Sequence, residues 1–166
     1  MGRKKLLQFG AGKIGRSFIG QLFSRAGYEV VFVDIASSLI DALNRERRYR
    51  VEIKDIHPQT IWVENVRAAN AQNTTQVAQE VATADIIATA VGPAALPHIY
   101  PTLAQGLLKR NQMGKGPVDI IICENLRDAA RIFRSGLAQC LPEDFPLDSS
   151  VGLVETSIGK MVPIMS

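Results

Sequence analysis

The residues from 5 to 15 have the types and spacing of a phosphate-binding turn. An apolar run from Lys5 to Phe9 leads directly into Gly10-Ala11-Gly12-Lys13-Ile14-Gly15, which has the spacing G-x-G-x-x-G. After a strand, the first glycine permits a tight turn and the second lets the backbone approach a pyrophosphate. The third lets the following helix pack close to the sheet. The N-terminus of that helix offers free N–H groups and a partial positive charge to phosphates.

An acidic residue lies at the end of the second predicted strand, where a nucleotide-binding βαβ unit requires one. A second apolar run, from Val30 to Val33, ends on Asp34, which follows Gly15 by 19 residues. A carboxylate at this strand end accepts hydrogen bonds from the adenosine ribose hydroxyls and repels a 2′-phosphate. The whole pattern therefore predicts a dinucleotide site with NAD as the cofactor. The alternative is a glycine turn in an α/β protein that binds no nucleotide.

The rest of the chain alternates between helical and strand patterns. The first predicted helix ends near Ala26-Gly27, and the second covers 37–47 with Ser37 or Ser38 as its N-cap. A short third helix has Thr74 or Thr75 as its N-cap and ends at Ala82. Two longer helices are predicted at 94–112 and 126–141. Strands are predicted at 85–91, 118–123 and 151–156, and a hairpin at 49–56 and 60–66. Apolar strands separated by helices are typical of a parallel sheet covered on both faces. The fold class predicted is therefore α/β, a Rossmann-type, doubly wound, mainly parallel sheet with an inserted β-hairpin.

Polar and small residues follow the ends of several predicted strands, where ligands of such sheets bind. They include Ala90-Val91-Gly92, Glu124-Asn125 and Glu155-Thr156-Ser157. Glu124 is expected to be a polar group on the cofactor side rather than an acid catalyst. The cofactor contacts predicted are Phe9, Gly10, Ala11, Gly12, Lys13, Ile14, Gly15, Asp34, Ile35, Ala90, Val91, Gly92, Glu124 and Asn125. Arg16 could contact the pyrophosphate or a substrate phosphate, or lie solvated on the helix.

Composition limits the class of protein. The 166 residues are 46% hydrophobic and 21% charged, with a net charge of +3, which is ordinary for one globular domain. The basic run from Arg45 to Arg50 is interrupted by Glu46 and lacks paired aromatics, so nucleic-acid binding is not expected. No apolar segment approaches the ~20 residues of a membrane span, and no signal-peptide pattern is present. Cys123 and Cys140 are not spaced as metal ligands, so we expect no metal; as buried, reduced thiols they favour a cytoplasmic protein.

Five ordered motifs resemble the polyol-specific long-chain dehydrogenases, and within them the branch that acts on mannitol 1-phosphate. They are Phe9–Gly20, Thr89–Pro93, Gly106–Arg110, Ile122–Asn125 and Leu141–Asp144. The resemblance runs almost end to end. It implies NAD-dependent interconversion of mannitol 1-phosphate and fructose 6-phosphate without a catalytic metal. The resemblance also implies that Asn125 is a catalytic residue that donates a hydrogen bond to the reacting oxygen. From the residue pattern alone, Asn125 could instead be the N-cap of the following helix.

The chain lacks one part of the pattern that this family carries. Family members have a helical C-terminal domain that holds the catalytic lysine in a K-x₅-N-x₂-H run, and no such run occurs here. Lys160 instead matches the basic residue of the family's V-D-R-I-V-P segment, in which Gly159 replaces the aspartate. We therefore expect residues 1–166 to be one dinucleotide-binding domain, with the helical substrate domain absent from this chain.

Three alternatives stay open at the level of sequence. A related branch of the family with a different substrate is the first, because Gly159 departs from its motif. A stand-alone domain that senses NAD(H) without chemistry is the second. The third is the cofactor domain of a ketopantoate- or hydroxyacid-type reductase, which would share the glycine motif but gives no reason for the Cys-Glu-Asn strand end.

Overall fold

A six-stranded parallel sheet forms the centre of the chain. The computed structural model describes residues 2–163; Met1 and residues 164–166, which belong to the predicted domain, lie outside the described residues. The strands of the sheet are β1 (Lys5–Phe9), β2 (Glu29–Asp34), β5 (Val66–Asn70), β6 (Ile86–Thr89), β7 (Val118–Ile122) and β8 (Val151–Glu155). Their order is β5-β2-β1-β6-β7-β8, and each neighbouring pair is parallel. This order confirms the predicted doubly wound sheet.

Helices cover both faces of the sheet, because its central strands are apolar on both. Leu7 and Phe9 of β1 pack on one side, and Leu6 packs on the other. The helices are α1 (Gln21–Arg25), α2 (Ser37–Glu46), α3 (Thr74–Thr83), α4 (Leu96–Gln112), α5 (Ala129–Cys140) and α6 (Leu147–Ser150). A π-helical segment, Gly15–Gly20, leads into α1, and a 3₁₀ turn, Pro93–Ala95, leads into α4. The core beneath α3, α4 and α5 is separated by the sheet from the core beneath α1 and α2.

The inserted hairpin is confirmed, but its second strand was predicted too long. β3 (Arg48–Ile53) and β4 (Gln59–Glu64) pair antiparallel. Asn65 then adopts a left-handed conformation with φ 61°, and the chain turns into β5, which pairs with β2. The prediction of one strand from Thr60 to Val66 therefore missed β5. Its Val-Arg-Ala-Ala-Asn sequence has weak strand propensity, and pairing with β2 determines its conformation.

The N-caps predicted for α2 and α3 and the start predicted for α5 were wrong. α2 has Ala36 at its N-cap position and no side-chain cap, so neither predicted serine has that role. Asn73 caps α3, because its side-chain oxygen accepts a hydrogen bond from Gln76 N, and the predicted threonine caps lie inside the helix. α5 begins at Ala129 rather than near residue 126, since Asn125 and Asp128 have φ values of 50° and 55°.

Residues 2–163 contain neither a membrane-spanning helix nor a cluster of metal-ligand residues. Within residues 2–163, no helix has both the length and the apolarity to cross a membrane. In the same range, no three His, Cys, Asp or Glu side chains are grouped so that they could hold a metal ion. Cys123 is buried as expected, whereas Cys140 is exposed at the end of α5, which corrects the expectation that both thiols are buried.

Candidate cofactor and substrate site

The glycine turn is built tightly except at one position. Gly10 has φ 92°, and a Cβ there would overlap the carbonyl oxygen of Ala90. A Cβ at Gly15 would overlap the carbonyl oxygen of Gly10. Gly12, in contrast, has open space around its position, with no atom of residues 2–163 within 4 Å of an added Cβ. Folding therefore requires the first and third glycines, while the second leaves a space that a pyrophosphate would fill.

The helix that follows the turn presents unsatisfied donors to this space. Residues 13–25 are helical throughout, with the π-helical segment in the middle. Among the described residues, nothing accepts a hydrogen bond from the N–H of Gly12, Lys13 or Ile14. Free N–H groups at the start of a helix bind anions through hydrogen bonds and the helix dipole. The arrangement can hold the phosphates of a dinucleotide.

A buried glutamine, which the sequence analysis did not single out, supports the turn. Gln8 is 0% exposed, and its Nε2 donates to the carbonyl oxygens of Phe9 and Gly10 at 2.9 and 3.3 Å. The side chain of Phe9 packs in the core, so its predicted cofactor contact concerns the backbone. A glutamine within an apolar strand next to a glycine motif was the available signal, because a buried amide needs polar partners.

Asp34 connects the end of β2 to the glycine turn. Its Oδ2 accepts a hydrogen bond from Ala11 N at 2.9 Å. Its Oδ1 accepts hydrogen bonds from Ile35 N at 2.8 Å and Ala36 N at 3.0 Å. The carboxylate thus orients the loop and keeps lone pairs for a ribose hydroxyl. Ile35 beside it is 72% exposed and offers an apolar surface.

Glu124 holds the loop that follows β6. Its Oε1 and Oε2 accept hydrogen bonds from the N–H groups of Val91 and Gly92, at 2.9 and 2.8 Å. Glu124 is only 9% exposed. Charge-assisted hydrogen bonds to successive amides fix both the position and the orientation of a loop. The two amides are therefore already satisfied, so the contacts predicted between a cofactor and Val91 or Gly92, which stay a prediction, would have to involve other atoms of these residues.

Asn125 is engaged with the segment that leaves the sheet after β8. Its Nδ2 donates to Ile158 O at 3.0 Å, and its Oδ1 accepts from Ile158 N at 2.7 Å. This two-bond pairing brings the 157–163 segment back beside the end of β7. Nδ2 carries two hydrogens, and the second has no acceptor within residues 2–163, so it is available to a ligand.

The other strand-end residues have structural partners. Glu155 Oε1 accepts from Ala130 N at 2.7 Å at the start of α5, and Thr156 Oγ1 donates to Ile122 O at 2.8 Å. Their contribution is to position α5 and the exit from β8. His57 and His98 are both exposed, in the hairpin turn and on α4.

A cavity of about 620 Å³ opens next to the glycine turn, on the side of the hairpin. Its walls are the first helical turn with Lys13, Arg16 and Ser17, residues 49–55 of the hairpin, and residues 160–163. The Tyr49 hydroxyl donates to Arg16 O at 2.6 Å, and burial raises the pKa of this phenol well above its ordinary value of 10.0. This cavity could not be predicted from the sequence, because its three walls are distant along the chain.

These features define a class. A doubly wound sheet of this strand order, an open glycine at a helix N-terminus and a carboxylate at the end of the second strand are the parts of a Rossmann-type dinucleotide-binding domain. Residues 4–166 match the family described as the mannitol dehydrogenase Rossmann domain. The chain belongs to that family, which confirms the resemblance found in its motifs.

Individual relatives agree with this assignment. The chain is 38% identical over 160 residues to a mannitol-1-phosphate 5-dehydrogenase of Brevibacillus brevis, and 41% identical over 162 residues to that of Halalkalibacterium halodurans. These alignments cover 95% and 96% of the chain, and the chain spans 42% of the length of each relative. A solved structure of Pseudomonas fluorescens mannitol 2-dehydrogenase, a ternary complex with NAD and D-mannitol, shares the fold with a TM-score of 0.67. That structure is 13% identical, and the match covers 81% of this chain and 36% of that one.

Proposed function

We propose that this chain binds NAD(H) as the cofactor domain of a dehydrogenase that interconverts a polyol phosphate and a ketose phosphate, namely mannitol 1-phosphate and fructose 6-phosphate. The observation that carries the proposal is the open space at Gly12, which the fold itself does not need. Two relatives named mannitol-1-phosphate 5-dehydrogenase, at 38% and 41% identity, support the choice of substrate. We also propose that such an enzyme acts on a small molecule in the cytoplasm, without nucleic acid or membrane as a partner.

Asp34 is the basis for proposing NAD rather than NADP. A 2′-phosphate at the adenosine ribose would approach a carboxylate that already accepts three backbone hydrogen bonds and cannot move away. Ile35 and Ala36 follow it, so the adjoining residues supply no arginine that could pair with the extra phosphate. Two charges ~4 Å apart repel by ~4 kcal/mol at an effective dielectric constant of ~20, and solvent reduces this value. We expect at least tenfold tighter binding of NADH than of NADPH.

The chemistry of the proposed reaction is divided between this domain and a second one. Bound NAD(H) supplies or accepts the hydride. The free N–H of Asn125 then donates a hydrogen bond to the reacting oxygen, where negative charge develops, without any change in its own charge. Glu124 holds the adjoining loop and contacts no substrate. By resemblance, the lysine that moves the proton belongs to a helical C-terminal domain, so this chain alone is expected to turn over neither substrate.

Calorimetric titration of the chain with NADH and NADPH tests the proposal. Gly12→Val should abolish NADH binding, because its side chain would occupy the space reserved for the pyrophosphate. Gly116→Val is the matched control, since Gly116 also has no atom within 4 Å of an added Cβ but lies in the loop before β7. Both variants should keep the circular dichroism of the parent chain. Unchanged NADH affinity in Gly12→Val would place the phosphates elsewhere and overturn the proposal.

A further inference from the structure

The cavity beside the glycine turn has an excess of positive charge. It is lined by Lys13, Arg16, Arg50, Lys54 and Lys160, and by the carboxylates Glu52 and Asp55. Arg50 pairs with Glu52 at 3.3 Å. Within residues 2–163, no carboxylate oxygen lies within 4.0 Å of the charged nitrogens of Lys13, Arg16, Lys54 or Lys160. Unpaired cations that share one cavity repel each other, and an anion placed between them removes that repulsion.

Arg16 is held in position for such an anion. Its Nε donates to Ala11 O at 2.7 Å, and the Tyr49 hydroxyl binds its backbone carbonyl. Neither terminal nitrogen of its guanidinium has a hydrogen-bond partner in the described part of the chain. A guanidinium with a fixed Nε and two free nitrogens matches two oxygens of a phosphate, and its orientation is set before any ligand arrives.

Lys160 reaches the same cavity through the returning segment. The pairing of Asn125 with Ile158 holds the chain two residues before Lys160. The Lys160 ammonium lies 5.8 Å from the ring centre of Phe18, and Phe18 is on the same helix as Arg16. Gly159 carries no side chain, where the resembled motif has an aspartate, so this stretch adds no negative charge beside the ammonium. The second cation therefore comes from a part of the chain far from the first.

The cavity adjoins the pyrophosphate cradle, the glycine turn of residues 10–15, and shares only Lys13 with it. Gly10, Gly12, Asp34 and Glu124 are not among its lining residues. A ligand in it can therefore be present together with the cofactor. We propose that this cavity binds the phosphate monoester of the substrate, with Arg16 and Lys160 as its ligands. The inference rests on the proposed function, since it assigns a site to the group that distinguishes a polyol phosphate from a polyol. A phosphate monoester carries close to two negative charges near neutral pH, which matches the charges of Arg16 and Lys160.

The test uses the chain saturated with NADH, so that the cofactor cradle is filled. Mannitol 1-phosphate and inorganic phosphate are titrated at constant ionic strength, with unphosphorylated mannitol as the third ligand. The Arg16 Nε–H resonance reports binding by NMR. We expect saturation by both phosphates with dissociation constants of about 10 mM or tighter, and no saturation by mannitol. Displacement of NADH by phosphate would place the anion in the cradle and overturn the inference.

Variants separate the cavity from general surface charge. Lys160→Gln should weaken phosphate binding at least fivefold and leave NADH affinity within twofold, and Arg16→Gln should weaken phosphate binding to the same extent. Gly159→Asp should weaken phosphate binding to a similar extent by adding a carboxylate, and no atom of residues 2–163 lies within 4 Å of the added Cβ. Lys115→Gln, in the exposed loop before β7, is the charge-matched control and should have no effect. Because Arg16 contacts Ala11, Arg16→Gln could destabilise the fold, and thermal unfolding measures that effect. Lys160→Gln and Gly159→Asp remove no such contact, so they decide the test even if Arg16→Gln is destabilised.

The two proposals fail in different ways. If NADH does not bind the parent chain, the proposed function is wrong. If NADH binds but mannitol 1-phosphate does not saturate the chain, or if Lys160→Gln and Gly159→Asp bind it as tightly as the parent, the cavity is not a phosphate site.

Discussion

Replacing Glu124 by glutamine tests whether one carboxylate positions the loop next to the proposed nicotinamide site. In the parent chain, both carboxylate oxygens accept a backbone hydrogen bond, from Val91 N and Gly92 N. Glutamine has the same shape but only one oxygen. Its amide nitrogen would face one of the two N–H groups, and because residue 124 is 9% exposed, water does not easily replace the lost acceptor.

The size of the effect follows from the number and kind of bonds. A hydrogen bond to a charged group contributes about 1.5–3 kcal/mol to stability, and leaving a buried donor without a partner costs a similar amount. We therefore expect Glu124→Gln to lower the free energy of unfolding by about 2 kcal/mol. For a chain of this length, that corresponds to a decrease in Tm of about 4–8 °C. NADH affinity should decrease about fivefold, because the loop loses its fixed position.

Glu155→Gln provides a matched control at another strand end. Glu155 is exposed and accepts only one bond, from Ala130 N, which a glutamine oxygen can also accept. The Tm of the Glu155→Gln variant should differ from that of the parent chain by no more than about 1 °C. Thermal unfolding followed by circular dichroism and calorimetric titration with NADH measure both effects. If the two variants had the same Tm and the same NADH affinity, Glu124 would not hold the loop and our reasoning would be refuted.

Three further changes probe other parts of the chain. Burial alone would raise the pKa of Glu80, but hydrogen bonds from Arg67 and Lys5 lower this pKa below its ordinary value of 4.5. The contribution of the Glu80 carboxylate to stability is therefore complete above pH 4.5 and is lost as the pH falls through the lowered pKa. Glu80→Gln should accordingly reduce the loss of Tm between pH 7 and pH 3. Gly106→Ala should lower the free energy of unfolding by about 1–3 kcal/mol, because the added Cβ would overlap Val81 where α4 packs on α3. Urea titration measures this change. An unchanged urea midpoint would show that the two helices separate easily. In the complete dehydrogenase that we propose, Asn125→Ala should lower kcat by ~10²–10³-fold with NADH affinity little changed. A decrease below fivefold, or an equal loss of NADH affinity, would assign Asn125 to a structural or cofactor role.

Local sequence was sufficient to predict five of the six strands of the sheet and the tight glycine turn. The glycine spacing, the apolar strands and Asp34 act through backbone geometry and burial, and both can be read within about 30 residues. β5 could not be predicted in this way. Its residues have little strand preference, and Arg67 within it is held by ion pairs to Glu29 and Glu80. Its conformation depends on a partner strand more than 30 residues earlier in the chain.

The sequence by itself determined that this chain is a Rossmann domain with a glycine turn and an acidic strand end. Only the tertiary structure decided what the polar groups of the site contact. Glu124 binds a loop 32 and 33 residues earlier, and Asn125 binds Ile158, 33 residues later. The basic cavity joins Arg16, Tyr49 and Lys160, which are adjacent only after the hairpin and the returning segment pack against the first helix. Hydrogen bonds and charge interactions depend on distance in space, so residue types along the chain could not predict these partners.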